Sequence, residues 1–159
     1  MKIAIGADKS GFALKEAVAR YLTEVGIAFV DLGTRDTERA VPFFEVAPKV
    51  ADAVRRSEAD RGILCCGTGM GMSVVANKRK GITAACCESV YAAKMCRAVN
   101  DANVLCMGGW LIAEWLGVEM VKAFLATEFT QDLEEWRKEW LKNAKNKVMQ
   151  IENEVFPEA

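Results

Sequence analysis

The segment Cys66-Gly67-Thr68-Gly69-Met70-Gly71 has the residue types and spacing to do chemistry. Glycines at three alternate positions leave backbone N–H groups uncovered and permit a concave turn into a helix N-terminus. Such a turn receives an anion or a developing oxyanion, because several N–H dipoles converge on one point. The same donors favour a thiolate on the cysteine at its mouth. A thiolate facing the carbon beside a carbonyl can take its proton while loop amides hold the enediolate oxygen. Interconversion of an aldose and a ketose needs that pair, one base and one oxyanion receptor. Spacing alone leaves a second reading open, in which Cys66 is a small buried hydrophobe like Cys65. A nucleotide phosphate loop is excluded, because no lysine followed by Ser or Thr comes after Gly71. A second polar turn, Asp8-Lys9-Ser10-Gly11, is the other candidate.

The elements that must position these turns alternate strand with helix, the pattern of βαβ units and a parallel sheet. Strands are predicted at Lys2 to Ala7, Ile27 to Asp31, Gly62 to Cys66, Ile82 to Cys86 and Asn103 to Met107. Helices are predicted at Gly11 to Val25, Pro42 to about Ser57, Met72 to Asn77, Ser89 to Ala98, Leu111 to Ala126 and Asp132 to Glu154. Pro42 suits a helix start, where its missing N–H has no partner to lose. Both candidate turns follow strands, and in open parallel sheets ligands sit outside the strands' carboxyl ends where strand order reverses. Residues 1–130 form one α/β domain. Residues 131–159 form an amphipathic tail, with Trp136, Trp140, Leu141, Val148 and Ile151 on a charged helix, expected to pack on a partner subunit.

Bulk composition narrows the function classes. With 159 residues, 52% hydrophobic, the chain suffices for one domain with its own core. Its 21 Lys and Arg against 22 Asp and Glu leave a formal charge of -1, which gives no electrostatic footprint for nucleic acid or an anionic membrane. No apolar run reaches the roughly 18 residues of a membrane span. The N-terminus reads as a strand and not a signal peptide. The six cysteines lie in or beside apolar stretches and read as reduced thiols of a cytoplasmic protein. With no histidine and no C-x-x-C pair, zinc is not expected.

The chain resembles the ribose-5-phosphate isomerase B and galactose-6-phosphate isomerase family. The likeness rests on Met1-Lys2-Ile3-Ala4-Ile5-Gly6-Ala7-Asp8, Glu58-Ala59-Asp60-Arg61-Gly62-Ile63-Leu64 and Cys66-Gly67-Thr68-Gly69-Met70-Gly71-Met72-Ser73. It continues through Ala76-Asn77-Lys78, Tyr91-Ala92-Ala93-Lys94-Met95 and Asn100-Asp101-Ala102-Asn103-Val104-Leu105. It implies a three-layer, Rossmann-like α/β fold with a five-stranded parallel sheet. It also implies an aldose–ketose isomerase of sugar phosphates, without cofactor or metal, forming a homodimer or homotetramer with sites shared between subunits. By the resemblance Cys66 is the base, Thr68 stands near the ring oxygen, Gly67, Gly69 and Gly71 line the anion hole, and Met70 is among the substrate-binding residues. Asp8 binds a hydroxyl and Asn100 contacts substrate.

The departures are as informative. The family's Asp-His-Ala-Gly is here Asp8-Lys9-Ser10-Gly11, and the histidine assigned to ring opening is Val99. An arginine assigned to phosphate is Trp110, and of the C-terminal arginines only Arg137 has a counterpart. Three readings fit. A tetrose 4-phosphate needs no ring opening, because its terminal hydroxyl is esterified, and Lys9, Arg97 or Arg137 could neutralise phosphate. A histidine-bearing partner could complete a hetero-oligomer, this chain supplying the cysteine half or acting as a silent binding subunit. A different or unphosphorylated sugar could stack on Trp110. A plainer view stands beside each candidate: Lys9 solvated, Arg97 facing a helix dipole, Arg137 in a surface ion pair, and the four tryptophans in core or interface. A redox role for Cys66 lacks a resolving thiol.

Overall fold

The structure is a computed structural model in which residues 1–157 are described. Among them, β1 (Lys2–Ala7), β2 (Ala28–Asp31), β3 (Arg61–Cys66), β4 (Ala84–Cys86) and β5 (Val104–Gly108) form one sheet in the order β2-β1-β3-β5-β4. Every pairing is parallel. The helices are α1 (Phe12–Glu24), α2 (Phe43–Arg55), α3 (Met70–Ala76), α4 (Val90–Asn100), α5 (Glu114–Ala126) and α6 (Glu135–Val155), with a short 3-10 turn at Thr37–Arg39. The three-layer α/β fold expected from the resemblance is the fold observed.

Side-chain alternation splits the core into two. Ile3, Ile5, Ile63, Cys65, Leu105 and Met107 face α1, α4 and α5. Ala4, Leu64, Cys66, Val104 and Cys106 face α2 and α3. Central strands covered on both faces read as continuous apolar runs, as β3 and β5 do. Fully burying each Ile or Leu of these layers stabilises the fold by about 1.5–3 kcal/mol.

Local chemistry sets the element ends. Ser89 caps α4, its Oγ accepting from the Ala92 N–H at 3.1 Å. Pro42 is the residue before α2 and not its first turn. The predicted start of the fourth strand, Ile82 and Thr83, is not strand. The Asn103 side chain takes the Thr83 N–H at 2.9 Å, and the Asn77 amide pairs with both backbone groups of Ala84 at 2.8 Å.

One charged cluster escaped sequence reading. Lys15 lies on the buried face of α1, where its Nζ meets Asp31 at 2.5 Å, Glu16 at 2.7 Å and the Thr34 carbonyl at 2.7 Å. It fastens the segment after β2 to the sheet edge. Burial of an ammonium is tolerable because these acceptors replace water.

The tail differs from the body. Only Leu141 of α6 is buried; Trp136, Trp140, Val148, Ile151 and Val155 are exposed. The helix lies against α4, held by a Lys145–Asp101 ion pair and a 2.7 Å bond from the Gly81 N–H to Glu152. A groove of about 570 Å³, lined by Asn100, Asn103, Trp140 and Val148 among others, separates it from the end of α4. The tail expected to run through residue 159 includes two final positions outside the described residues. No helix among the described residues is long and apolar enough to cross a membrane.

Candidate active site

Strand order reverses between β1 and β3, since β2 lies on one side of β1 and β3 on the other. The turn after β1, Asp8–Gly11, and the turn after β3, Gly67–Gly69, therefore meet at the carboxyl edge. The contact is close enough to exclude side chains. A Cβ on Gly11 would lie 2.3 Å from the Cys65 carbonyl. The Asp8 N–H donates to that carbonyl at 3.3 Å. The turn after β5 joins them, through the Gly109 N–H to the Cys66 carbonyl at 2.7 Å and the Trp110 N–H to the Gly67 carbonyl at 3.0 Å.

Cys66 ends β3 with 5% of its surface exposed, at the floor of this junction. Its Sγ accepts the Gly69 N–H at 3.1 Å. Gly69 has φ +79, the left-handed conformation that turns the chain so this N–H points back at the sulfur. The N–H groups of Thr68 and Gly71 have no acceptor among the described residues, and both residues are only part-buried. Thr68 Oγ1 accepts the Met70 N–H at 3.3 Å, leaving its hydroxyl proton free to donate. Asp8 gives one oxygen to the Gly11 N–H at 3.0 Å, and its second has no partner among the described residues. Lys9 is exposed and unpaired among them. The edge thus holds one sulfur acceptor, one half-used carboxylate, two open amides and one cation. That set can move a proton and hold a developing oxyanion.

Cys65 makes the contrast. It points to the opposite face of the sheet with no exposed surface, and burial pushes its thiol well up.

Sequence reasoning offered Trp110 as a face on which a sugar could stack, but not the contacts that hold the aromatic frame. A Cβ on Gly67 would fall 2.8 Å from three indole carbons of Trp110, and one on Gly71 would fall 3.0 Å from the Phe43 ring. Trp110 is 71% exposed. The four tryptophans were expected in core or interface; none is in this chain's core. Phe43 packs part-buried against the core and covers the loop, while Phe44 is exposed. Cys86 is exposed and donates to the Thr68 carbonyl at 3.6 Å. No pattern in the sequence marks these three contacts, because each joins segments distant along the chain.

Three expected substrate contacts lie elsewhere. Arg97 is corrected outright: it is 6% exposed, and its guanidinium serves the Ala102 carbonyl at 2.7 Å, Asp101 at 2.8 Å and the Thr127 carbonyl at 3.3 Å. Those partners close the end of α5 and leave nothing for a ligand. Asn100 ends α4 at the amino edge of the sheet, about 15 Å of helix from the edge bearing Cys66. Arg137, part-buried in the first turn of α6, makes no ion pair among the described residues. One chain therefore brings together Asp8, Lys9, Cys66, Gly67, Thr68, Gly69, Met70 and Gly71, without Asn100 or Arg137. No group of three or more metal-ligating side chains occurs among the described residues.

Comparison with known proteins bears on the family and the fold. The chain is 58% identical over 156 residues, 98% of each protein, to a 4-deoxy-4-sulfo-D-erythrose isomerase of Clostridium sp. (strain MSTE9). It is 41% identical to ribose-5-P isomerase B of Listeria innocua over 82% of this chain and 87% of that one. The solved ribose-5-phosphate isomerase B of Clostridium thermocellum superposes with a TM-score of 0.88 at 37% identity, covering 98% of this chain and 99% of that one. The family model described as Ribose/Galactose Isomerase matches residues 3–140, and the chain belongs to that family of aldose–ketose isomerases.

Proposed function

We propose that the substrate is a four-carbon sugar with a terminal sulfonate, 4-deoxy-4-sulfo-D-erythrose, isomerised to the corresponding ketose. The full-length 58% match to a protein of that name carries the reading. Chemistry supports it. Carbon 4 of this sugar bears sulfur and no hydroxyl, so no five-membered ring can close and no acid is needed to open one. The chain has no histidine to serve as such an acid. A sulfonate holds one negative charge, whereas a phosphate monoester holds about 1.5 to 2 at pH 7. Lys9 of this chain, and Arg137 where a second copy brings it, are the cations available to that terminal anion.

The geometry supports the following course of reaction. Cys66, as thiolate, takes the proton from C2 of the open-chain aldehyde, and the carbonyl electrons move onto O1. The open amides of Thr68 and Gly71 hold the resulting cis-enediolate. The O2 hydroxyl proton passes to O1, and the Cys66 thiol returns its own proton to C1 on the same face. The ketone forms at C2, with no net gain or loss of atoms. Asp8 binds a hydroxyl through its free oxygen.

The site is completed in a homodimer or a larger homo-oligomer. Asn100 and Arg137 lie at the far end of their own chain, beside the exposed apolar face of α6, so a second copy supplies them. A histidine-bearing partner has no ring to open on this substrate. Mixing Cys66→Ala with Asn100→Ala chains tests the sharing. Regained turnover supports it, and two variants that stay inactive together contradict it.

The substrate test is kcat/KM for 4-deoxy-4-sulfo-D-erythrose, D-erythrose 4-phosphate and D-ribose 5-phosphate on the purified protein. The sulfonate is expected to lead by roughly tenfold or more, the worth of one well-placed interaction. Ribose 5-phosphate in first place overturns the reading.

A further inference from the structure

We infer that Thr34 is a positioning residue: its hydroxyl holds Val41 and so sets the Phe43 ring on Gly71, whose amide receives the enediolate. This rests on the reading of that amide given above. Thr34 has no exposed surface, and all four of its polar groups are engaged. Its N–H donates to the Ala7 carbonyl at 2.8 Å, and its carbonyl accepts from Lys15 Nζ at 2.7 Å. These two bonds fix its backbone against the end of β1. Its Oγ1 accepts the Val41 N–H at 2.9 Å and donates to the Val41 carbonyl at 3.3 Å. One hydroxyl thus satisfies both backbone groups of a residue seven positions along, and closes the base of the loop between them.

The route from Val41 to the reacting end is short and stiff. Pro42 follows, with φ -69 and ψ 152, and its ring leaves little freedom at φ. Phe43 is next, the first residue of α2, part-buried against the core. Its ring lies so close to Gly71 that a Cβ there would meet ring carbons at 3.0 and 3.1 Å. Gly71 has no side chain to hold its place, so the ring is the surface that limits where its N–H points. An oxyanion receptor works only while its donors stay aimed at the position where charge develops. Valine in place of Thr34 keeps the shape but strands the Val41 N–H and carbonyl, which must then move to find partners. The bonds to Ala7 and Lys15 are backbone bonds and survive the change.

The test measures kcat, KM and a denaturant titration for wild type, Thr34→Val, Thr34→Ser, Phe43→Leu and the Thr34→Val/Phe43→Leu double variant. The substrate is whichever of the three sugars above the wild type turns over fastest. A donor needed for the developing charge acts on kcat and not on ground-state binding. Thr34→Val and Phe43→Leu are each expected to lower kcat roughly tenfold, with KM within about twofold of wild type. Thr34→Ser keeps the hydroxyl and should stay within about twofold in both. The double variant should be no slower than Phe43→Leu by more than about twofold, because the two residues act along one route. Losses that multiply overturn the inference, as does a Thr34→Val that loses stability but keeps its kcat per folded molecule. Phe43→Leu leaves the buried hydroxyl untouched, so wild-type kcat there overturns the route even where Thr34→Val does not fold. Cys66→Ala in the same assay separates the two readings. Wild-type turnover without that sulfur overturns the proposed mechanism, whereas its loss beside unaffected Thr34 and Phe43 variants overturns the positioning role alone.

Discussion

The two edges of the sheet use polar groups in opposite ways. At the amino edge, Arg61 reaches the Phe124 and Leu125 carbonyls at 2.6 and 2.9 Å and Glu128 at 2.8 Å, while Arg97 engages Ala102, Asp101 and Thr127. Both guanidiniums sit near the Phe124 ring and tie up the end of α5. Burial, with Arg97 close by, draws the Arg61 guanidinium below its ordinary range. At the carboxyl edge, by contrast, Lys9, one oxygen of Asp8 and the amides of Thr68 and Gly71 are unpaired among the described residues. The saturated edge holds the molecule together, and the unsaturated one is left able to bind. Buried charge alone is thus a poor guide to function; unspent hydrogen-bonding capacity beside a reactive group is the better one.

Substitutions can sharpen or break this contrast. The largest effect is expected at Cys66→Ala, with kcat reduced by roughly 10²–10⁴ through loss of the base, and a thermal midpoint close to wild type. Arg97→Ala should do the reverse. Stranding buried carbonyls and Asp101 should lower unfolding free energy by about 3 kcal/mol in a denaturant titration, while the folded fraction keeps its kcat. Gly67→Ala comes next: its methyl group must displace the indole, and kcat/KM should fall roughly tenfold from misplacement of the loop. The smallest is Cys65→Ala, which removes one buried sulfur facing α1 at a cost of about 1 kcal/mol in stability with activity retained. Should Arg97→Ala cost activity in proportion to Cys66→Ala, or Cys65→Ala match Cys66→Ala, the division between the edges fails.

Much of the fold is legible in the residues, and the reasons are local. The first strand runs over Lys2–Ala7 as expected, because its apolar run is bounded by a charge and by Asp8. The third helix begins at Met70, two residues before the expected Met72, because Gly69 and not Gly71 takes the positive φ that ends the turn. Cys66 and its loop stand out since neighbours in sequence build them, although Gly69 reaching back to the sulfur depends on that same φ. What spacing hides is contact between distant segments. Arg97 in the last turn of α4 looks free until Thr127 is brought against it. Trp110 reads as an apolar residue for core or interface until β5 is paired with β3 and the indole falls across Gly67. Asn100 carries the resemblance, and the strand–helix alternation already puts it at the amino edge, since a helix after a parallel strand runs back to where the next strand begins.

The account stands most directly on proton transfer at one carbon. Incubation of the protein in deuterium oxide with 4-deoxy-4-sulfo-D-erythrose, followed by NMR at C1 and C2, reads that transfer. Deuterium entering at the carbon beside the carbonyl with wild type, and none above the uncatalysed background with Cys66→Ala, is the predicted result. Equal exchange in the two proteins would contradict it.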